Sequence, residues 1–167
     1  MSQSLPKAPW TRRPTLALLT KALGGANIRW VGGAVRDTLL GIEADDVDCA
    51  TVLRPDAVID ACAKMGIRTI PTGIEHGTVT ALLKDGEHVQ TVEVTTLRRD
   101  VSTDGRRATV AFASDWREDA ARRDFTINAL YAHPETLEIS DYFGGLDDLE
   151  ARRVRFIGDA RERIAED

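Results

Sequence analysis

Three aspartates fall within four positions, Asp45, Asp46 and Asp48, where the sequence DDVDCAT passes into an apolar, β-branched stretch. Side chains alternate faces along a strand, so Asp46 and Asp48 share one face while Val47 and Cys49 enter the opposite layer. Two carboxylates that close repel, and one keeps its proton unless a cation lies between them. Oxygen ligands of this kind suit Mg2+, which retains waters and takes further ligands from substrate phosphates. Glu93, the one acid in the run TVEVTT, is a candidate third carboxylate from a neighbouring strand. A D-x-D pair by itself is most often surface decoration at a strand end, and a lone glutamate says less.

The preceding turn changes that balance. Gly32 and Gly33 lie between a strand-like and a helix-like segment in WVGGAVRD. Backbone N–H groups at such a turn form an anion site, and residues without Cβ let a phosphate approach closely. Arg36, one turn further on, can add a charge-assisted contact. A bare glycine pair would otherwise be only a tight turn.

The elements that must hold these residues follow from pattern. PTLALLTKALGG predicts a helix with Pro14 in its first turn, NIRWVGG a strand entering a turn, and AVRDTLLG a short helix stopped by Gly41. DVDCAT predicts a strand, and a helix runs from about Pro55 to Met65, ended by Gly66. IRTIP, GTVTALL and HVQTVEVTT read as strands, the last two joined by a hairpin at KDGE. RRDVSTDGRRA predicts an exposed, mobile loop before a short strand TVAF. Ser114 is placed to cap a helix containing DWREDAARR, and DFTINALYA has helical spacing. LEIS and RVRFI read as strands about a Gly144-Gly145 turn and a helix LDDLEA, and a last helix starts at Asp159. Together these predict one α/β or α+β domain with a mixed sheet.

Composition sets outer limits. At 167 residues the chain has the size of one domain, with 43% apolar and 29% charged residues and no apolar run of membrane-spanning length. Cys49 and Cys62 lack metal or redox spacing and read as buried thiols in a reducing, cytoplasmic setting. TRRPTLALL faintly imitates a targeting signal, but Lys21 interrupts its apolar segment. The net charge of -5 argues against strong nucleic-acid binding by this chain alone, although 12 of 18 arginines follow residue 97.

GGAVRDTLLG followed by DVD, then PTGIEHGTVT, VEVTTLR, DGRR and RRDFTINALY, closely resembles the head domain of the class II tRNA nucleotidyltransferases, the CCA-adding enzymes, whose superfamily includes bacterial poly(A) polymerases. The likeness runs in order from about Ile28 to Asp167. It implies a polymerase-β-type nucleotidyltransferase fold, a mixed, mainly antiparallel sheet flanked by helices. It also implies that Asp46, Asp48 and Glu93 bind two Mg2+ ions and that Gly32, Gly33 and Arg36 hold the triphosphate. In RRDFTINAL, Arg123 would reach the phosphates, while Asp124 and Asn128, four apart on a helix, would bond ribose hydroxyls. Arg98 would contact nucleotide or primer, STDGRR matches the family's flexible loop, and His76 is expected to be a local hydrogen-bonder. Phe125, Ile127 and Leu130 are expected in the core.

In that family an acid-Asp-x-x-Arg motif on the next domain's helix reads the base. Glu166 and Asp167 match its start, and the sequence stops before the arginine. The expectation is a catalytic head over residues 1–158, with 159–167 beginning a truncated neck helix. Its partners would be CTP and ATP as substrates and the tRNA 3′ end, with no membrane. Poly(A) polymerase, a partial A- or CC-adding relative, and a nucleotide-binding module without turnover are the alternatives.

Overall fold

The computed structural model describes residues 3–44, 46–104, 107–113 and 115–158, with the backbone alone for 100–104 and 107–110. Ser114, Glu166, Asp167 and the helix expected from Asp159 lie outside the described residues.

Helix α1 (Pro14–Leu23) starts on a proline, whose missing N–H costs nothing in the first turn. It buries Leu16, Leu19 and Leu23 and leads into β1 (Ile28–Val31). The Gly32 turn opens α2 (Gly33–Leu39), and β2 (Asp48–Thr51) follows, two residues shorter than expected. Helix α3 (Pro55–Lys64) buries Val58 and Cys62. Strands β3 (Arg68–Gly73), β4 (Thr78–Asp85) and β5 (His88–Thr96) come next, with the expected hairpin turning at Gly86. After β6 (Arg98–Asp104), β7 (Arg107–Phe112) and α4 (Trp116–Ala121), the chain closes with β8 (Leu130–Ala132), β9 (Ile139–Asp141) and α5 (Gly145–Glu150).

A seven-stranded sheet has the order β3-β4-β5-β2-β1-β8-β9 among the described residues. Its pairs are antiparallel except β2 with β5, which run parallel. That pair needs a crossover, which α3, β3 and β4 supply. One face carries Trp30, Cys49, Val94 and Val79 as lateral neighbours, buried with α1 and α3 residues in the main core. The other face carries Val31, Asp48, Glu93 and Thr80. It is covered at the β1–β8 end by a smaller core that includes Val31, Leu97, Ala120, Tyr131 and Ile157. Asp48 and Glu93 stay exposed.

Five local expectations are corrected. The stretch expected as a loop is instead an antiparallel ribbon, β6 with β7, bulged between Asp100 and Ser102. A ribbon separate from the main sheet needs no apolar face, so alternation gave no warning of it. DFTINALYA is a 3-10 turn (Thr126–Asn128) running into β8, not a helix. Leu130, Tyr131 and Ala132 are all fully buried, and so short a run buried on both faces has no period to distinguish strand from helix. Leu130 is core as expected, whereas Phe125 and Ile127, expected there with it, are only half-buried because the helix that would have aligned the three is absent. RVRFI contributes only a bridge, Phe125 to Phe156. The cap of α4 is Asp115, whose carboxylate accepts the Arg117 amide at 2.8 Å.

Candidate active site

The parallel pairing sets Asp48 directly beside Glu93. Lateral neighbours in a sheet share a face about 5 Å apart, so two strands bring to one spot carboxylates 45 positions apart in sequence. Partial desolvation of the otherwise exposed Asp48 carboxyl raises it above the ordinary carboxylate value, and the Glu93 and Asp46 charges raise it further, against a lowering by Arg123. The alternation expected at DVDC holds: Val47 and Cys49 are each 1% exposed, whereas Asp46 and Asp48 are exposed. Among the described residues, no three His, Cys, Asp or Glu side chains converge closely enough to hold a metal ion.

Beside this row, Gly32 has φ +81°, a conformation open chiefly to glycine, and no atom lies within 4 Å of where its Cβ would stand. Arg36 folds back over the turn, its Nη2 3.4 Å from the position of a Gly33 Cβ. Its Nε donates to Asp37 at 3.0 Å and its Nη1 to Asn128 Oδ1 at 2.8 Å. Asn128 in turn reaches Asp124 Oδ1 at 3.5 Å. The structure thus joins Gly33, Arg36, Asn128 and Asp124 in one chain of contacts. The 3-10 turn keeps Asp124 and Asn128 together even though the expected helix is absent. The turn is fixed from behind by α5: Asp148 accepts from the Thr126 hydroxyl and from Arg155 Nε, and a Cβ on Gly145 would stand 2.3 Å from the Thr126 carbonyl oxygen.

Arg123 stands over Tyr131 of β8, its guanidinium carbon 5.6 Å from the centre of the ring. Tyr131 is the register partner of Val31, itself the partner of Asp48, which brings Arg123 close enough for its charge to favour the Asp48 carboxylate. Its Nε donates to the Tyr131 hydroxyl and its Nη2 to Asp119 Oδ2. Asp119 is a residue the sequence reading missed. Burial pushes its carboxyl up, but Arg123, Arg122, the Tyr131 hydroxyl and the Arg98 amide bring it below the ordinary value. The available signal was its spacing from Arg122 and Arg123, i+3 and i+4, on the helix ahead of RRDF.

Arg98 begins the ribbon and donates Nη1 to the His76 carbonyl at 3.0 Å. His76 therefore serves through its backbone, and its imidazole is exposed. Asp167 lies outside the described residues.

Residues 28–155 match the family profile of the poly(A) polymerase head domain. This chain belongs to that family. Among its curated relatives, the mitochondrial CCA tRNA nucleotidyltransferase 1 of Homo sapiens is 46% identical over 141 residues, 84% of this chain and 31% of the relative. The CCA-adding enzyme of Levilactobacillus brevis is 44% identical over 167 residues, 99% of this chain and 39% of that one. This chain therefore spans about a third of the length of the curated relatives it matches. The solved Bacillus stearothermophilus CCA-adding enzyme in complex with CTP aligns with a TM-score of 0.74 at 34% identity, over 93% of this chain and 36% of that one. The nucleotidyltransferase fold implied by the sequence motifs is the one observed. Within this head-domain family match lie β1 to α5, and with them the acidic row, the glycine turn, Arg123 and Asp119.

Proposed function

We propose that this chain is the catalytic head of a CCA-adding tRNA nucleotidyltransferase, transferring nucleotidyl groups from CTP and ATP to a tRNA 3′ end with release of pyrophosphate. The observation that carries the reading is the lateral pairing of Asp48 with Glu93 beside the Gly32–Arg36 turn. Desolvation first, and then the Glu93 charge, displace the Asp48 carboxyl upward, so its ionised form is disfavoured in the free chain. That is the electrostatic signature of a site completed by a cation.

By donor chemistry Asp48, Glu93 and Asp46 are an all-oxygen set that would suit two Mg2+ ions taking their remaining ligands from water and phosphate, although the three side chains do not converge on one point in the free chain. When bound, the metal supplies charge against the α-phosphate and the leaving pyrophosphate and lowers the pKa of the attacking 3′-hydroxyl. The chain's own groups do the positioning. Gly32 and Gly33 present backbone amides to the triphosphate, with Arg36 and Arg123 as cations near the row. Asp124 and Asn128 bond the ribose hydroxyls, and Arg98 meets nucleotide or primer at the root of the ribbon. Held in line, the reactants gain most of the remaining rate from proximity. We take residues 1–158 as the head, with Glu166 and Asp167 opening the base-reading motif of a following neck helix. Both cysteines are free and buried, in keeping with a reducing, cytoplasmic setting.

The test is calorimetric titration of the chain with CTP, ATP and GTP in Mg2+, beside an Asp46→Ala/Asp48→Ala variant. Similar binding of all three, lost in the variant, is the expected outcome for a triphosphate and metal site whose base reader is elsewhere. Equal binding by the variant overturns the metal assignment. The family also includes poly(A) polymerases, and the product formed on tRNA by the whole enzyme, CCA against a run of A, separates the two.

A further inference from the structure

Asp119 is 1% exposed, and a carboxylate so buried persists only with its oxygens satisfied. Its two oxygens have different clients. Oδ1 accepts the Arg98 backbone amide and Arg122 Nε, both at 3.1 Å. Oδ2 accepts the Tyr131 hydroxyl at 2.7 Å and Arg123 Nη2 at 3.3 Å. Tyr131 completes a triangle by accepting Arg123 Nε at 3.2 Å. Its ring is held edge-on by Trp116 and Tyr142, with centroids 5.7 and 6.0 Å away.

An arginine side chain samples many rotamers unless its head is tied. Here two of its nitrogens are tied to groups that are themselves buried. Nη1 makes no hydrogen bond among the described residues, and the guanidinium lies near enough to Asp48 to act on its charge.

We propose that Asp119 is a positioning residue. Through Oδ2 it holds Arg123 and Tyr131 as one rigid unit, with Nη1 of Arg123 left for a phosphate oxygen beside the acidic row. Through Oδ1 it moors the root of the β6–β7 ribbon to the same point. One carboxylate thus sets the distance between the ribbon and the phosphate-binding arginine. The proposal rests on the nucleotidyl-transfer reading only for what Arg123 is aimed at.

The test has a ligand-free arm and a nucleotide arm. In the free chain the Arg123 Nε–H resonance, assigned by its absence in Arg123→Lys, is expected to be shifted and slow to exchange. In Asp119→Asn it shifts and exchanges faster as the unit loosens, even though Tyr131 still carries the Nε acceptor, and Tyr131→Phe, which removes that acceptor, marks the free-arginine limit. Affinity for Mg-ATP falls about tenfold in both, the scale of one charge-assisted hydrogen bond, while unfolding stays cooperative. Asp119→Glu keeps the charge but lengthens the anchor, and carries the test by the same shift of the Arg123 resonance if Asp119→Asn fails to fold. An Arg123 resonance unchanged in the folded variants overturns the proposal, as does unchanged Mg-ATP affinity where Arg123→Ala weakens it. A protected resonance lost in the variants, in a chain that binds no ATP, upholds the positioning role and overturns the transfer reading instead.

Discussion

At the scale of single residues, this site is a set of opposed displacements. Asp48 is raised, so its native carboxyl binds the proton more tightly than in the unfolded chain, and its charge costs stability at neutral pH. Asp48→Asn is therefore expected to raise the melting temperature of the metal-free chain at pH 7, with the gain fading as pH falls toward the ordinary aspartate value of about 3.9. In the whole enzyme the same change should lower transfer by orders of magnitude, each tenfold being about 1.4 kcal/mol of barrier. Asp119 behaves oppositely. Its native pKa lies below the unfolded value, so its stabilisation is complete above about pH 4 and is lost as pH falls through the native value. Removing it with Asp119→Ala deletes the buried carboxylate that Arg122 and Arg123 both bond, and should cost about 3–5 kcal/mol in urea unfolding. Burial raises both thiols, Cys62 to about 11 and Cys49 higher still, so neither should react with a thiol reagent at pH 8 until the chain unfolds.

At the scale of elements, what was legible depended on whether an element has one buried face. Helices α1 and α3 announced themselves through proline starts and glycine stops, and the β4–β5 hairpin through Asp-Gly. The β6–β7 ribbon has no such periodicity, and β8, buried on both faces, looked helical. Asp46, Asp48, Glu93, the glycine turn and Arg36 stood out as candidates by residue type and spacing, whereas the Asp124–Asn128 pair came from the family resemblance. Asp119 was not, because an acid beside two arginines on a helix looks like surface charge until its burial is known. Close packing between elements gives its own prediction. Gly145→Ala drives a methyl against the Thr126 carbonyl, and should cost about 1–3 kcal/mol while displacing the turn that carries Asn128. Denaturant unfolding measures the first effect and nucleotide affinity the second.

At the scale of the whole molecule, the sheet divides labour between its faces. One is closed by α1 and α3 over the main core, and the other is roofed only at the β1–β8 end, leaving the acidic row open beside the Arg123 unit. Mg2+ that binds the native row and not the unfolded chain must stabilise by mass action, about 2.7 kcal/mol at a hundredfold excess over its dissociation constant. A thermal scan with and without millimolar Mg2+, repeated on Asp46→Ala/Asp48→Ala, should show an upward shift confined to the native sequence.

The strand order also sets a schedule for synthesis. Among the described strands of the sheet, β1 and β2 are translated before the rest and end in its middle, and their outer neighbours β8 and β5 are translated later. Until β5 and β8 emerge, the nascent hairpin presents unpaired N–H and C=O groups along both margins, an arrangement that invites pairing with other chains. The vulnerable interval ends only once residue 132 is available, so crowded ribosomes or slowed elongation before that point should lower the soluble yield of this head more than that of a domain whose sheet grows outward in order.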